Sequence, residues 1–422
     1  MTTETLTPTA REAVASACAD VRDGSETDAV DGVTPGLVAR PADTAQVAEV
    51  MKATAAHGLS VVPRGRGTKL SWGTPPSSAD VLLDLSGLDE VLDHAAGDLI
   101  TVARTGTLVA DLQQTVAEGG QRLALDETVP GSSIGGTLAA DTSGPRRVAV
   151  GTARDLLIGL TIVRADGVVA KSGGRVVKNV AGYDLGKLLI GSFGTLGVMT
   201  EAVFRLHPLP ETRRWVTARV ADATGVHDAV QAVVHSQAVP AAVEVEWPTF
   251  GEGLVHVLLE GREDGVAGRS TTIEAVLARG ALDVSSREEP PAGGATYPWD
   301  TDARGDERAT AFKLTFALSG LGDVLTAARE SGLHVRGSGG VGVAYAALPA
   351  GAGVEAAQAA LTRVRETCGR HGGAAVVVDA PAEVKAGLDA WGPIPALDLM
   401  RRVKDQFDPD HRLAPGRFVG GI

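Results

Sequence analysis

Between residues 35 and 210, short apolar runs alternate with longer stretches in which apolar residues recur every three or four positions. Val47, Val50 and Met51 fall on one face of a helix over Thr44 to His57, with Asp43 as its N-cap. Strands follow at 81–85 and 99–103. A second amphipathic helix runs from Thr107 to Glu118, where Gly119-Gly120 stops it. The apolar run Leu156 to Val163 then meets Ala165-Asp166-Gly167, a hairpin signal. A last strand spans Leu196 to Leu206, and Pro208 and Pro210 mark a boundary.

The rhythm changes over 211–390. Strand, helix, strand, strand, helix is the order at 215–220, 226–238, 243–247, 255–259 and 272–278. The same order returns at 311–317, 322–331, 333–336, 341–347 and 354–371, with a strand at 374–378. Two βαββα units predict ferredoxin-like repeats, a sheet with helices on one face. The Pro-, Gly- and charge-rich stretch from Ser286 to Arg308 reads as the loop between them. Residues 1–34 read as an N-terminal helical extension, and 391–422 as a segment carrying a helix over 395–407 and a turn-rich tail. The class is α+β.

The chain has 422 residues, room for two or three domains. Its net charge of −13 argues against a nucleic-acid partner. Two cysteines, Cys18 and Cys368, make neither a disulfide framework nor a metal cluster. Cys368 falls at helical spacing with Leu361 and Val364, as a core thiol does. The N-terminus lacks the pattern of a secretory signal, and no apolar run approaches the ~18 residues of a membrane span. A cytoplasmic location is the expectation.

Against that acidic background, Val62-Pro63-Arg64-Gly65-Arg66-Gly67-Thr68-Lys69-Leu70-Ser71-Trp72-Gly73 carries three glycines, three cations and two hydroxyls. Glycines let the backbone turn several N–H groups toward one anion, and the cations and hydroxyls add charge-assisted bonds. The composition suits a pyrophosphate. It is neither a P-loop nor a Rossmann turn, and by itself it also fits a glycine-rich surface turn. Gly337-Ser338-Gly339-Gly340-Val341-Gly342 does match G-x-G-x-x-G, but it lies between two strands and opens no helix, so it reads as a hairpin.

Three further segments bear on chemistry. Val129-Pro130-Gly131-Ser132-Ser133-Ile134-Gly135-Gly136-Thr137, followed by Thr142-Ser143-Gly144, offers small residues where a ligand can approach the backbone, or a helix can pack on a sheet. Arg146-Arg147 with Gly151-Thr152-Ala153-Arg154-Asp155 offers cations that steer phosphates or pair with surface acids. Lys178-Asn179-Val180-Ala181-Gly182-Tyr183-Asp184-Leu185 precedes Gly191-Ser192-Phe193-Gly194-Thr195-Leu196-Gly197-Val198; polar residues in glycine-rich loops line sites or make structural turns.

In this order the segments resemble the FAD-binding domain of the vanillyl-alcohol-oxidase/PCMH superfamily. Within it the chain is most similar to the FAD-binding E subunits of glycolate oxidases. Gly144-Pro145-Arg146-Arg147, the 178–185 and 191–198 segments, and the closing Phe407-Asp408-Pro409…Leu413-Ala414-Pro415-Gly416-Arg417-Phe418 carry that likeness. The resemblance implies a PCMH-type two-subdomain FAD-binding domain over 35–210, a cap over 211–390, and a tail over 391–422 that returns to the first domain.

It also implies site roles. Arg64, Gly65, Arg66, Gly67, Thr68, Lys69, Leu70 and Ser71 would hold the FAD pyrophosphate. Pro130, Gly131, Ser132, Ile134, Gly135, Gly136, Thr137, Thr142, Ser143 and Gly144 would line the other side of the cofactor. Gly151, Arg154 and Val198 would lie along its nucleotide half. Asn179, Tyr183, Asp184 and Arg417 would approach the flavin or its access path. With no His or Cys in the pyrophosphate loop, FAD would be bound non-covalently.

The implied activity is oxidation of a 2-hydroxy acid, of the glycolate or D-lactate type, to the 2-oxo acid. It would run in a complex with a second flavoprotein and an iron–sulfur subunit, which leaves room for peripheral attachment to the inner membrane. Departures from the family pattern bear on this. Phe193 replaces an acidic residue of catalytic relatives, and Ala414 replaces the Asn of a closing Asn-Pro-Gly. His227, His235, His256, His334 and His371 are scattered singly, without the cap metal cluster of those relatives. No catalytic base is assigned. A standalone oxidase or dehydrogenase of another alcohol or sugar, and a non-catalytic scaffold, are the alternatives.

Overall fold

The computed structural model describes residues 6–176 and 183–422. Strands Leu37–Ala39, Val81–Asp84 and Val61–Arg64 run parallel, with Val21–Asp23 antiparallel at the edge. Strands buried on both faces read as continuous apolar runs, as Val81-Leu82-Leu83 does. Helix Thr44–Ala56 covers one face; Asp43 accepts a bond from the Gln46 N–H at 2.8 Å, and Val47, Val50 and Met51 are buried. The N-terminal helix Pro8–Ala17 packs on that helix.

A second, fully antiparallel sheet orders Val91–Ala95, Ile100–Arg104, Val198–Arg205, Leu157–Val163 and Val169–Gly173. Its core joins Leu112 and Val116 of helix Val109–Ala117 to Ile134 and Leu138 of helix Ile134–Ala139. The two sheets are the two subdomains that the resemblance implies.

Residues 212–379 form one eight-stranded antiparallel sheet. Thr212–Val220, Ala242–Trp247, Gly253–Gly261 and Asp283–Arg287 form one ferredoxin-like half, ordered fourth, first, third, second. Thr310–Thr315, His334–Ser338, Val343–Leu348 and Ala374–Asp379 repeat that order in mirror sequence. The halves join where Val245 pairs with Gly337. Gly337 and Ser338 end one strand and residues 339–342 turn into the next, a hairpin as the sequence context implies.

Successive strand residues face opposite sides. Val216, Val245, Val257, Phe312, Val335 and Ala346 face four helices in one continuous core. Glu244, His256, Lys313, Arg336 and Tyr345 lie on the other side, which turns toward the first half. Tyr345 meets Trp72 and Val129 there, and Glu260 pairs with Arg122 at 2.7 Å and Arg146 at 2.8 Å.

Two cap elements differ from their sequence reading. Helix Glu263–Leu277 begins well before Thr272. Gly265 and Gly268 weaken its first turns by intrinsic propensity, but Val266, Ser270, Ile273 and Leu277 are buried and hold it. Strand Asp283–Arg287 is almost entirely polar, so no apolar alternation marks it.

The C-terminal segment returns to the first half. The Val61 N–H donates to the Arg412 carbonyl and the Ala414 N–H to the Val61 carbonyl, both at 2.8 Å. Helix Leu397–Phe407 places Lys404, fully buried, 2.7 Å from Asp408 Oδ2; its Nζ also donates to the carbonyls of Thr195 and Leu413.

Candidate functional site

A cleft of about 740 Å3 opens between the two small sheets. Its walls are the 63–70 loop, the start of helix Ile134–Ala139, the 193–199 turn and strand, and Arg417 of the tail. Four stretches far apart in sequence thus converge on one concavity. The Phe193 N–H donates to the Ala139 carbonyl at 3.0 Å and the Gly191 N–H to the Leu138 carbonyl at 2.9 Å, which locks the third wall to the second.

The close approach of the walls needs glycine. A Cβ on Gly65 would lie 2.1 Å from Ser133 Oγ, and one on Gly135 would lie 2.9 Å from Thr105 Cβ. Gly194 has φ +79°, in the left-handed region that side chains other than glycine rarely adopt. Phe193, beside it, holds φ +53° without that freedom.

The cations of the loop divide into two kinds. Arg64 is neutralised by Asp84 at 2.7 Å and Asp28 at 3.4 Å. Arg66 pairs with Asp89 and donates to the Gly106 carbonyl at 3.2 Å. Lys69 is different: it is buried, and its Nζ donates to Ser132 Oγ at 2.7 Å and Thr68 Oγ1 at 3.0 Å, both neutral. Burial pushes its pKa down to about 8, with Glu127, beyond ion-pair distance, opposing.

Arg417 completes the pair. Only 3% exposed, it donates to the carbonyls of Leu70 at 2.9 Å and Trp72 at 2.8 Å, and burial lowers its pKa to about 10. Two buried cations facing a cleft, with no carboxylate within ion-pair distance among the described residues, are costly unless an anion joins them. A pyrophosphate supplies that anion.

One end of the cleft is aromatic. Phe193 stacks on Phe418 at 5.8 Å and meets Trp391 edge-on at 5.9 Å. Trp72, Tyr297, Trp299 and Tyr345 cluster next to it, with Tyr297 stacked on Trp299 at 4.6 Å. Thr128 Oγ1 lies 3.0 Å from the Tyr297 hydroxyl, and burial raises that phenol well above its ordinary pKa. Nearby on the cap face, Glu244 is buried and accepts a bond from Ser338 Oγ at 2.5 Å. Burial pushes its pKa up to about 7, against the pull of Ser338 and Arg147.

The other sequence-derived candidates fall outside the cleft lining. Ser71 turns to Asp379, and Ser132 stands behind Lys69. Ile134, Thr137, Thr142, Ser143 and Val198 are buried. Gly144 presses against Asp126, while Pro130, Gly131, Gly151 and Arg154 lie toward the periphery. Tyr183 is 93% exposed, and Asp184 sits 3.7 Å from Lys187. Asn179 lies outside the described residues. Ser133, Phe193, Gly194 and Gly197 lie in the segments singled out from sequence but were given no cofactor role, while Leu85 and Thr105 line the cleft from outside those segments. The glycines around Phe193 were the available signal for part of that wall.

The cap histidines stand apart from one another. His256 lies 2.9 Å from Thr217, His334 3.2 Å from Glu246, and His371 2.8 Å from Asp323. Among the described residues no three metal-ligating side chains come together, and no helix is long and apolar enough to cross a membrane.

Residues 35–173 match an FAD binding domain family. The chain is 32% identical to glycolate oxidase subunit GlcD of Bacillus subtilis over 218 residues, which is 51% of this chain and 46% of that protein. Residues 35–173 thus carry an FAD-binding domain. Its cofactor is FAD.

An uncharacterized FAD-linked oxidoreductase of Mycobacterium tuberculosis is 28% identical over 92% of the chain and 91% of its own length. The mitochondrial D-lactate dehydrogenase [cytochrome] of Arabidopsis thaliana is 35% identical over 42% of the chain and 31% of its own length. The chain thus spans under half of two of these three relatives. Among solved structures, Physcomitrella patens BBE-like 1 superposes with a TM-score of 0.69 at 14% identity, over 96% of this chain and 97% of that one. An alkyldihydroxyacetonephosphate synthase gives 0.66 at 16%, over 91% and 76%. These two establish the PCMH-type fold with its cap.

Proposed function

We propose that the chain is an FAD-dependent oxidoreductase that takes part in oxidising a 2-hydroxy acid to the 2-oxo acid. The observation that carries this reading is the pair of buried, carboxylate-free cations, Lys69 and Arg417, on a glycine-walled cleft. Lys69 and the loop N–H groups hold the pyrophosphate. Phe193 and the adjoining aromatic cluster bound the flavin end and exclude water. When bound, FAD supplies the acceptor for the hydride lost from the hydroxyl-bearing carbon.

The substrate class rests on relatives. They include glycolate oxidase subunit GlcD, D-lactate dehydrogenases, and D-2-hydroxyglutarate dehydrogenases such as that of Stutzerimonas stutzeri. The polar face of the cap, with Glu244, Lys313 and Tyr345, is the surface available to such an acid. By resemblance the chain acts as an E-type subunit beside a second flavoprotein and an iron–sulfur subunit.

The test is the visible spectrum of the purified chain before and after anaerobic addition of glycolate, D-lactate or D-2-hydroxyglutarate. Bleaching by one of them establishes an autonomous 2-hydroxy-acid dehydrogenase. A yellow chain that bleaches only when co-purified with partner subunits supports the subunit reading. A colourless chain that cannot be reconstituted with FAD overturns the cofactor site.

A further inference from the structure

Four buried charges meet where the cap touches the cofactor loop. Lys385 Nζ lies 2.7 Å from Asp31 Oδ2 and 3.2 Å from Asp379 Oδ1. Arg308 Nη1 lies 3.1 Å from Asp31 Oδ1 and 2.8 Å from Asp379 Oδ1. The most exposed of the four side chains is Asp379, at 11%. Two cations match two anions, so the quartet is neutral and closed. Asp31 reaches it with φ +48°, a left-handed backbone that costs an aspartate energy and here delivers one carboxylate to both cations.

The quartet also grips the loop. Ser71 Oγ donates to Asp379 Oδ2 at 2.7 Å, and Lys385 donates to the Ser71 carbonyl. Arg417 takes the carbonyls on either side, those of Leu70 and Trp72. Lys69 is two residues away. The cap therefore holds the one residue between the anchor points of the cleft's buried arginine, next to its buried lysine. A shift of Ser71 would carry with it the flanking Leu70 and Trp72 carbonyls that anchor Arg417.

We propose that Asp379 and Lys385 are positioning residues for the cofactor loop, so that a docked cap is a condition for retaining FAD. The proposal rests on the FAD reading of the cleft. It differs from a purely stabilising role, in which the quartet holds the domains together and leaves the affinity of folded protein unchanged.

The test is the FAD dissociation constant of apo-protein, read from quenching of flavin fluorescence, with the melting temperature of each variant beside it. Asp379→Asn is expected to raise the constant about tenfold and Ser71→Ala severalfold, as loss of charge-assisted bonds implies. The double variant should be no worse than Asp379→Asn, because both act through one bond. Val364→Ala, in the cap core, should lower the melting temperature without changing the constant.

A folded Asp379→Asn protein that binds FAD within twofold of wild type overturns the proposal. So does a double variant whose effects multiply. If Asp379→Asn does not fold, Ser71→Ala decides alone, and an unchanged constant is the overturning result. A wild-type chain that takes up no FAD sinks the cofactor reading, and the proposal with it. Equal binding by wild type and variants sinks only the proposal.

Discussion

Lys69 and Glu244 are both buried ionisable groups, and their environments push them in opposite directions along the pH scale. Lys69 is held at about 8 by burial, below its ordinary 10.5. An adjacent pyrophosphate favours the charged form and raises that value. FAD affinity should therefore be full below about pH 8 and fall as pH rises through it. Lys69→Met should weaken binding by about 10- to 100-fold and remove the pH dependence. A titration of FAD affinity from pH 7 to 9.5 checks both; a wild-type affinity flat across that range would contradict the assigned role. Glu244 is held up at about 7, above its ordinary 4.5. The fold then binds the proton more tightly than the unfolded chain, so stability is lost as pH rises from 4.5 to about 7. Glu244→Gln keeps an acceptor for Ser338 and removes that cost. It should leave stability unchanged below pH 4.5 and raise it above pH 7, by at most about 3 kcal/mol. Denaturant melts at pH 4 and pH 8 test this, and an equal effect at both would rule out titration of Glu244 as its source.

At the scale of elements, the tail is fastened by one buried pair. Lys404 and Asp408 are both fully buried, one helical turn apart, and the lysine also binds the Thr195 carbonyl behind the Phe193 turn. Lys404→Met leaves Asp408 charged and short of a cation, which should cost about 3–5 kcal/mol in urea denaturation. Lys404→Met combined with Asp408→Asn should recover part of that loss. The tail's return was legible in sequence only through resemblance. No local pattern says that residues 412–414 pair with a strand more than three hundred residues earlier. The βαββα repeats were legible because their strands alternate apolar and polar and their helices carry buried stripes. The polar strand Asp283–Arg287 escaped for the converse reason. In the cleft, the 64–70 loop was legible because cations and glycines crowd together in an acidic chain. Which cation stays unpaired was not. Asp28, Asp84 and Asp89, which occupy Arg64 and Arg66, are brought there by the fold.

At the scale of the whole molecule, the question is whether cap and flavin domain unfold as one. A chain of 422 residues with several separate cores ordinarily melts in steps. Here the contacts across the boundary are buried and of three kinds. Glu260 serves Arg122 and Arg146 on one side. The quartet around Asp31 serves the other. Between them Trp72 and Val129 pack on Tyr297 and Tyr345. Opening the boundary would expose that aromatic cluster and leave several charges unpaired at once, so a half-open molecule is poorly populated. Scanning calorimetry of the FAD-loaded chain should give a single transition, with calorimetric and van't Hoff enthalpies that agree. Adding excess FAD should move the whole transition upward, because the ligand binds only the folded state. Two transitions, of which FAD moves only one, would mean that the cap folds and docks independently of the cofactor. Cooperative melting would instead make the boundary part of the cofactor site, since the loop that holds the cofactor is built from both of its sides.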